Sequence, residues 1–405
     1  MIAPAALAAA EAAPAVLKEV VVSAARAPQP AEHAAATVRV LTADDLARGP
    51  AATLDGALRA IPAFGLFRRA DSLAANPTAQ GVSLRGLGPS GASRSLVLLD
   101  GVPLNDPFGG WVAWTTLPRD GAWRAEIVPG GGATAWGNAA LGGVVLFLTA
   151  PDAFSPLQAN TPTARLSASA GSFGTREAEF SATTPDGGGE ARLLGRDFST
   201  DGYTWVAPER RGSLDPPAWS RHRWLAAGWR RAPGEANIGV AVNARAFDET
   251  RGNGPPSTRN RSREHFASVA LGGRPDAAFG WDAVAYAQDQ TFASTFSSVN
   301  AARSAETPAS DERTVASLKS IAASRVNFGD GRHAAVSSRP STRMRSRLRR
   351  WSPRPPAGRA PTIGNVPGPR AIVTLATASR RSLVKPTAEK VRVPAVGESS
   401  RLHSA

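Results

Sequence analysis

From about residue 163 the chain repeats segments in which apolar and polar positions alternate. In NIGVAVNARAF, Ile238, Val240, Val242, Ala244 and Ala246 share one phase, and Asn237, Asn243 and Arg245 share the other. A period of two predicts a strand with one apolar and one wet face. Similar segments lie at 165–170, 176–183, 191–198, 221–229, 264–271 and 281–291, separated by turn-rich stretches such as PDGGG at 185–189 and RGNGPP at 251–256. Tyr203, Trp205, Trp219, Trp224, Trp229, Trp281 and Tyr286 fall near the predicted strand ends, as in the aromatic girdles of membrane-spanning strands. The same alternation also suits a soluble β-sandwich.

Residues 19–150 have a different texture. Short apolar runs at 19–23, 36–41, 82–85, 96–99, 125–128 and 143–149 alternate with turns. Thr42 followed by Ala43, Asp44 and Asp45 reads as the N-cap and acidic first turn of a helical segment over 42–60. Leu46, Leu54, Leu58 and Ile61 supply its apolar faces. Gly49-Pro50 divides it into two short helices, and Pro62 stops the second. The pattern is α+β with few helices, unlike the regular strand–helix alternation of a doubly wound sheet.

After about residue 318 the alternation fades and Arg, Ser and Pro dominate. The formal charge of +14 belongs to this region: residues 319–405 hold 18 Lys and Arg against 3 Asp and Glu, leaving 29 basic and 30 acidic residues in 1–318. A charged segment with few aromatics cannot bury enough surface to offset its chain entropy, so a disordered basic tail is expected over 319–405. A frameshift in GC-rich DNA would yield the same Arg/Pro/Ser/Ala mixture. The balanced charge of the main body argues against a nucleic-acid partner.

The absence of cysteine excludes disulfides, thiolate zinc sites and cysteine catalysis. No apolar run approaches the ~18 residues of a spanning helix, which leaves a transmembrane barrel open. Residues 1–18 are expected to be a residual signal or N-terminal extension, since the apolar run ending in Ala8-Ala9-Ala10 resembles the end of a secretory signal without its basic start.

Candidate chemistry is sparse. Gly86, Gly88 and Gly91 form a G-x-G-x-x-G arrangement, but Pro89 and the strand at 96–99 leave no room for the helix that a dinucleotide site needs. Nucleophile-elbow, zinc-protease and phosphate-loop motifs are absent. His33, His222, His265, His333 and His403 lack metal-ligand spacing and read as surface or loop residues. Asp100 and Asp106 are close enough in sequence to suggest an acid/base pair. Asp100-Gly101 between apolar runs is nevertheless a strong hairpin signal, because both residues tolerate positive φ. No catalytic residue, metal site or cofactor is assigned.

Six short motifs in order then carry a family resemblance: EVVVSA at 19–24, the helical segment from Leu54 to Pro62, VSLRG at 82–86, LLDGVPL at 98–104, EIVPG at 126–130 and WGNAALGGVV at 136–145. Together they closely resemble the plug domain of TonB-dependent outer-membrane receptors. The resemblance implies a plug at 19–150, with Glu19, Val20, Val21, Val22, Ser23 and Ala24 as the TonB box, which pairs with the TonB energy-coupling protein by β-augmentation. It makes Arg85, Gly86, Asp100, Gly101, Gly137, Gly142 and Gly143 plug-core positions. It also places Arg68, Arg69, Asn76, Asn105, Asp106, Trp111 and Trp114 on loops facing incoming ligand. Leu146 stands where the family usually has Asn.

The implied fold is an α+β plug domain followed by antiparallel transmembrane β-barrel strands over 151–318. Such receptors close about 22 strands around the plug, and residues 163–318 accommodate about eight. The barrel is therefore expected to be incomplete and the chain truncated or frameshifted. The implied function is outer-membrane uptake of a scarce bulky nutrient such as a ferric siderophore or cobalamin, with TonB and outer-membrane lipid as partners. The alternative from the residues alone is a soluble periplasmic β-rich carbohydrate-binding or hydrolytic protein, with Asp197, Asp201, Asp248 and Glu249 as the nearest carboxylates.

Overall fold

The computed structural model describes residues 21–22, 29–30, 37–48, 51, 53–68, 70–87, 93–106, 109–117, 121–130, 136, 138–150, 161–186, 188–234, 237–276, 279–308, 311–328 and 334–350. At the N-terminal side, β1 (Val21–Val22) pairs antiparallel with β2 (Gln29–Pro30). Next, β3 (Arg39–Thr42) runs directly into α1 (Ala43–Arg48). Asp45 N donates to Thr42 Oγ1 (3.2 Å), and Thr42 N donates to Asp45 Oδ2 (2.9 Å), so each residue satisfies an amide of the other. These bonds hold the Asp45 carboxyl below the usual carboxylate range. Thr53 caps α2 (Leu54–Leu58) through Gly56 N (3.3 Å). The two short helices expected on either side of Gly49-Pro50 are therefore both formed.

The remaining plug strands are β4 (Phe64–Leu66), β5 (Val82–Leu84), β6 (Ser95–Leu99), β7 (Val102–Pro103), β8 (Arg124–Pro129) and β9 (Gly143–Leu148). Four of them join β3 in a five-stranded sheet in the order β3-β8-β9-β6-β7, with β6 and β9 parallel and the other pairs antiparallel. Alternation along the strands separates two cores. Val97, Ile127, Val145 and Phe147 face Leu46, Leu54 and Leu58 of the helices. Trp114 lies in this core, edge-on to Phe64 (6.2 Å) and Phe147 (6.3 Å). Leu96, Leu98, Val144 and Leu146 form the second core with Ala140. Leu146, which stands where the resemblance implies Asn, is thus buried in an apolar core.

The second body is one continuous antiparallel sheet. Its strands are β10 (Thr163–Gly171), β11 (Thr175–Asp186), β12 (Gly189–Tyr203), β13 (Ala218–Arg231), β14 (Ile238–Gly252), β15 (Arg259–Asp276), β16 (Phe279–Ser294), β19 (Asp311–Phe328) and β20 (Ala334–Arg350). A small hairpin, β17 (Ser297–Val299) with β18 (Glu306–Pro308), stands in the β16–β19 connection. Among the described residues nothing pairs β10 with β20, so the sheet is an open wall, as expected of an incomplete barrel. The strands continue beyond the expected limit at residue 318: β19 and β20 pair from 311 to 350. Ladder pairing uses backbone groups, which a basic composition does not remove, and Arg recurs at every second position from 343 to 349. Residues 351–405 of the expected tail lie outside the described residues.

Cross-strand register shows which side of the wall faces which medium, because directly opposed residues share a face. One row runs Ala182, Leu193, Ala227, Ala244, Ala267, Ala287, and a neighbouring one runs Leu166, Phe180, Gly195, Leu225, Ala246. These apolar rows point away from the plug; Leu166 is 81% exposed, and Leu193 and Leu225 are also exposed. The opposite phase contains Glu179, Arg196, Trp224, Phe247, Glu264, Gln290, and all but Glu179 are buried. The wall is apolar outside and polar inside, the inverse of a soluble sandwich.

The aromatic residues divide between these faces. Trp219 and Trp229 follow the outward phase and cover Gly252 and Gly189; a Cβ would overlap the Trp219 ring at Gly252 and press on the Trp229 ring at Gly189. Trp224 and Tyr286 belong to the inward phase and are buried, so they are not girdle residues. His222, expected at the surface, is 2% exposed and stacked on Phe198 (4.7 Å).

Candidate functional site

The plug and the wall are joined largely by side chains of the wall. Arg251 Nη1 on β14 donates to the carbonyl oxygens of Ser72 (2.8 Å) and Ala75 (2.6 Å) in the plug. Its other terminal nitrogen pairs with Glu249, and Glu249 Oε1 also accepts from Thr115 Oγ1 (2.8 Å). Trp224 Nε1 donates to Thr116 O (2.6 Å), and Arg192 Nη1 donates to Thr149 O (2.7 Å). Trp111 packs on Phe292 of β16 at 5.6 Å. Four of these contacts end on plug carbonyls. The plug is therefore gripped through groups that every sequence possesses, by bonds worth about 1.5–3 kcal/mol each when the donor is charged.

Behind the Arg251 contact, the plug has its own buried ion pair. Arg68 Nη2 donates to Asp55 Oδ2 (2.8 Å), and Ser72 Oγ donates to Asp55 Oδ1 (2.5 Å). Gln80 Nε2 donates to the same two carbonyls that Arg251 uses, at 3.3 Å (Ser72) and 3.2 Å (Ala75). The 72–75 turn is thus held from α2, from Gln80 and from the wall.

The expected plug-core residues occupy tight turns. Asp100 (φ 48°) and Gly101 (φ 81°) are the two central residues of the β6–β7 hairpin, as the Asp-Gly pair predicts. Asp100 also accepts from Thr149 N and Oγ1, both at 2.9 Å, which ties the hairpin to the end of β9. Burial pushes its carboxyl above the usual range, and the two Thr149 donors pull it back. Arg85 (φ 55°) and Gly86 (φ 73°) turn the chain after β5. Gly142 packs against Ser95, and Gly143 (φ 127°) lies where a Cβ would overlap the Val128 carbonyl oxygen. Gly137 lies outside the described residues, as do Glu19, Val20, Ser23 and Ala24 of the expected TonB box; Val21 and Val22 form β1.

The residues expected to face ligand are mostly structural. Trp114, 2% exposed, belongs to the plug core, and Arg68 is consumed by Asp55, so neither faces a ligand. Trp111 is buried against the wall. Asn76 Oδ1 caps the turn at Pro77–Ala79 through Thr78 N (3.0 Å). Asn105 accepts from Val97 N (2.7 Å) and donates to Ser95 O (3.2 Å), while Asp106 Oδ1 accepts from Gly109 N (2.8 Å). Asp106 and Asp100 serve separate turns and form no acid/base pair. Arg69 lies outside the described residues.

The carboxylates of the hydrolytic alternative do not converge. Asp197 and Asp248 sit on the outer face, paired with Arg223 (2.6 Å) and Arg263 (2.7 Å), whereas Glu249 points inward to the plug. No group of three or more potential metal ligands occurs among the described residues.

Comparison with known proteins agrees with this arrangement. Residues 30–144 match the family described as TonB-dependent Receptor Plug Domain. The ferric enterobactin receptor of Pseudomonas aeruginosa is 32% identical over 125 residues, covering 28% of this chain and 16% of that receptor. The vitamin B12 transporter BtuB of Vibrio vulnificus is 27% identical over 191 residues, covering 47% of this chain and 29% of the transporter. The crystal structure of the siderophore receptor PirA from Acinetobacter baumannii shares the fold, with a TM-score of 0.54 at 15% identity, over 77% of this chain and 48% of that one. The chain thus spans about half the length of that solved receptor and less of the two sequence relatives. Residues 30–144 thus form a TonB-dependent receptor plug domain, and together with the wall that grips it, polar inside and apolar outside, the chain has the fold of the corresponding part of that solved receptor.

Proposed function

We propose that this chain serves energised uptake of a bulky, scarce nutrient across the outer membrane, the nutrient being a ferric siderophore or cobalamin. The observation that carries the reading is the inverted wall: its apolar outer surface suits lipid, and its inner surface holds the plug by polar contacts. Ligand arrives at the end bearing the longer connections, 204–217, 253–258 and 295–310, which is the extracellular end in barrels of this kind. At the opposite end only two residues separate β11 from β12 and two separate β15 from β16. The segment at 19–24 then pairs with TonB, and the pull is transmitted to the plug. The carbonyl-directed contacts of Arg251, Trp224 and Arg192 suit such a cycle, because they break without leaving a matched side-chain partner on the plug. No bond in the ligand is made or broken. The names of the ferric enterobactin and vitamin B12 relatives support the two ligand classes.

The test is uptake of labelled ferric siderophore or cobalamin by cells expressing the chain, with and without Val21→Pro, which removes an amide needed for β-augmentation. Uptake that requires both TonB and Val21 is expected. Uptake that persists without TonB would contradict the proposal.

A further inference from the structure

The three long connections at the proposed ligand-entry end are joined to one another. Asp215, in the β12–β13 connection, accepts a two-pronged ion pair from Arg303 at the tip of the β17–β18 hairpin, with Nε to Oδ2 at 2.6 Å and a second bond from Nη2 to Oδ1. The same carboxylate accepts from Gly212 N (2.8 Å), and Leu214 N donates to Arg303 O (3.1 Å). Gly212 lies so close to the Arg303 and Ala302 carbonyls that a Cβ would overlap them. The β14–β15 connection joins the same hairpin: Ser257 N donates to Glu306 Oε1 (3.0 Å), Thr258 Oγ1 bonds Ser297 Oγ (2.9 Å) and Thr295 Oγ1 donates to Ser257 O (2.6 Å).

Arg303 has φ 53°, a left-handed conformation that an arginine adopts only when its surroundings fix it. The two-pronged pair fixes both charge and geometry, which a single lysine-type contact would not do. We infer that Asp215 is the positioning residue of a preassembled canopy, in which the three connections present one surface to incoming ligand instead of moving as separate gates. This consequence for ligand entry rests on the proposed uptake function; the joint itself does not. The charged groups facing Asp215 are Arg303 from the hairpin and Arg211 from its own connection, and the Arg303 bonds hold its carboxyl below the usual range. The joint therefore stays closed at neutral and mildly acid pH, and loosens only as acid protonates Asp215 below that range.

Because the chain has no cysteine, nitroxide labels at Ser213→Cys and Ala301→Cys in the full chain report the distance between the two connections without background. One narrow distance is expected. Asp215→Arg and Arg303→Asp should each shift it to longer, broader values, and the charge-swapped double variant should restore the narrow peak. Arg303→Lys keeps the charge without the fork and should broaden the peak partially. Unchanged distances in the single variants would overturn the joint. Broadening that the double variant fails to reverse would also overturn it, since simple loss of fold gives that result. The reading is independent of uptake, so failure of the transport proposal and failure of the joint are distinguishable.

Discussion

Arg251 of the wall reaches the Ser72 carbonyl of the plug at 2.8 Å, across 179 residues of sequence. It shares the 72–75 turn with Gln80 and closes an ion pair with Glu249, so one wall side chain joins a strand to the plug's most heavily bonded turn. Arg251→Ala leaves the buried Glu249 carboxylate without its counter-charge and takes one of two donors from each of the Ser72 and Ala75 carbonyls, which keep Gln80. Breaking a buried pair in this way costs about 3–5 kcal/mol. Chemical denaturation of the detergent-solubilised chain should show a loss of that size, and amide exchange at residues 72–80 should accelerate while exchange in β8 and β9 holds. Equal exchange throughout would show that Arg251 does not anchor this turn.

The two glycine turns separate backbone strain from lack of space. At Gly86 (φ 73°) nothing lies near an added Cβ, so Gly86→Ala costs only the left-handed conformation, about 1–2 kcal/mol. At Gly143 the same change adds overlap with the Val128 carbonyl where β8 meets β9, and the loss should reach about 3–5 kcal/mol. The comparison is made by denaturant midpoints of the two variants. Equal losses would mean that the close approach of β8 and β9 is not needed.

The start of α1 carries a pH dependence whose sign follows from Asp45. Its carboxyl is held below the ordinary range by Thr42, so the cap contributes fully above about pH 4 and is lost as pH falls through the lowered value. Amide exchange in α1, corrected for its intrinsic pH dependence, should show constant protection from neutral pH to pH 5 and then fall. Thr42→Ala should remove about 1 kcal/mol from the helix start and shrink that acid step, because the hydroxyl is lost while the backbone amide still donates. Asp45→Asn should abolish the step, and an acid step that survives it would belong to another group.

Local signals were readable in the sequence and non-local ones were not. Asp100-Gly101, the Thr42 cap and the division into two short helices depend on neighbours within a few residues, and each is found as expected, the first helix ending at Arg48 and the second starting at Leu54. The alternation of NIGVAVNARAF also carried over, with its greasy phase outward and Arg245 buried within. Arg68 and Trp114 were misread because exposed-looking loop residues take their partners from Asp55, Phe64 and Phe147, which local pattern does not reveal. Glu249 looked like a hydrolytic carboxylate for the same reason. The signal that identifies it is its phase: it alternates with Asp248, so the two acids point to opposite sides of the wall.

The inverted wall is the central claim, and nitroxide scanning along 240–247 tests it most directly. The full chain, reconstituted in outer-membrane lipid, is labelled one position at a time on its cysteine-free background. Collision with lipid-soluble oxygen should peak at 240, 242, 244 and 246, and fall at 241, 243, 245 and 247, where the wall faces the plug. Even-numbered positions reached instead by a water-soluble nickel chelate would contradict the account, because their apolar side chains would then face water.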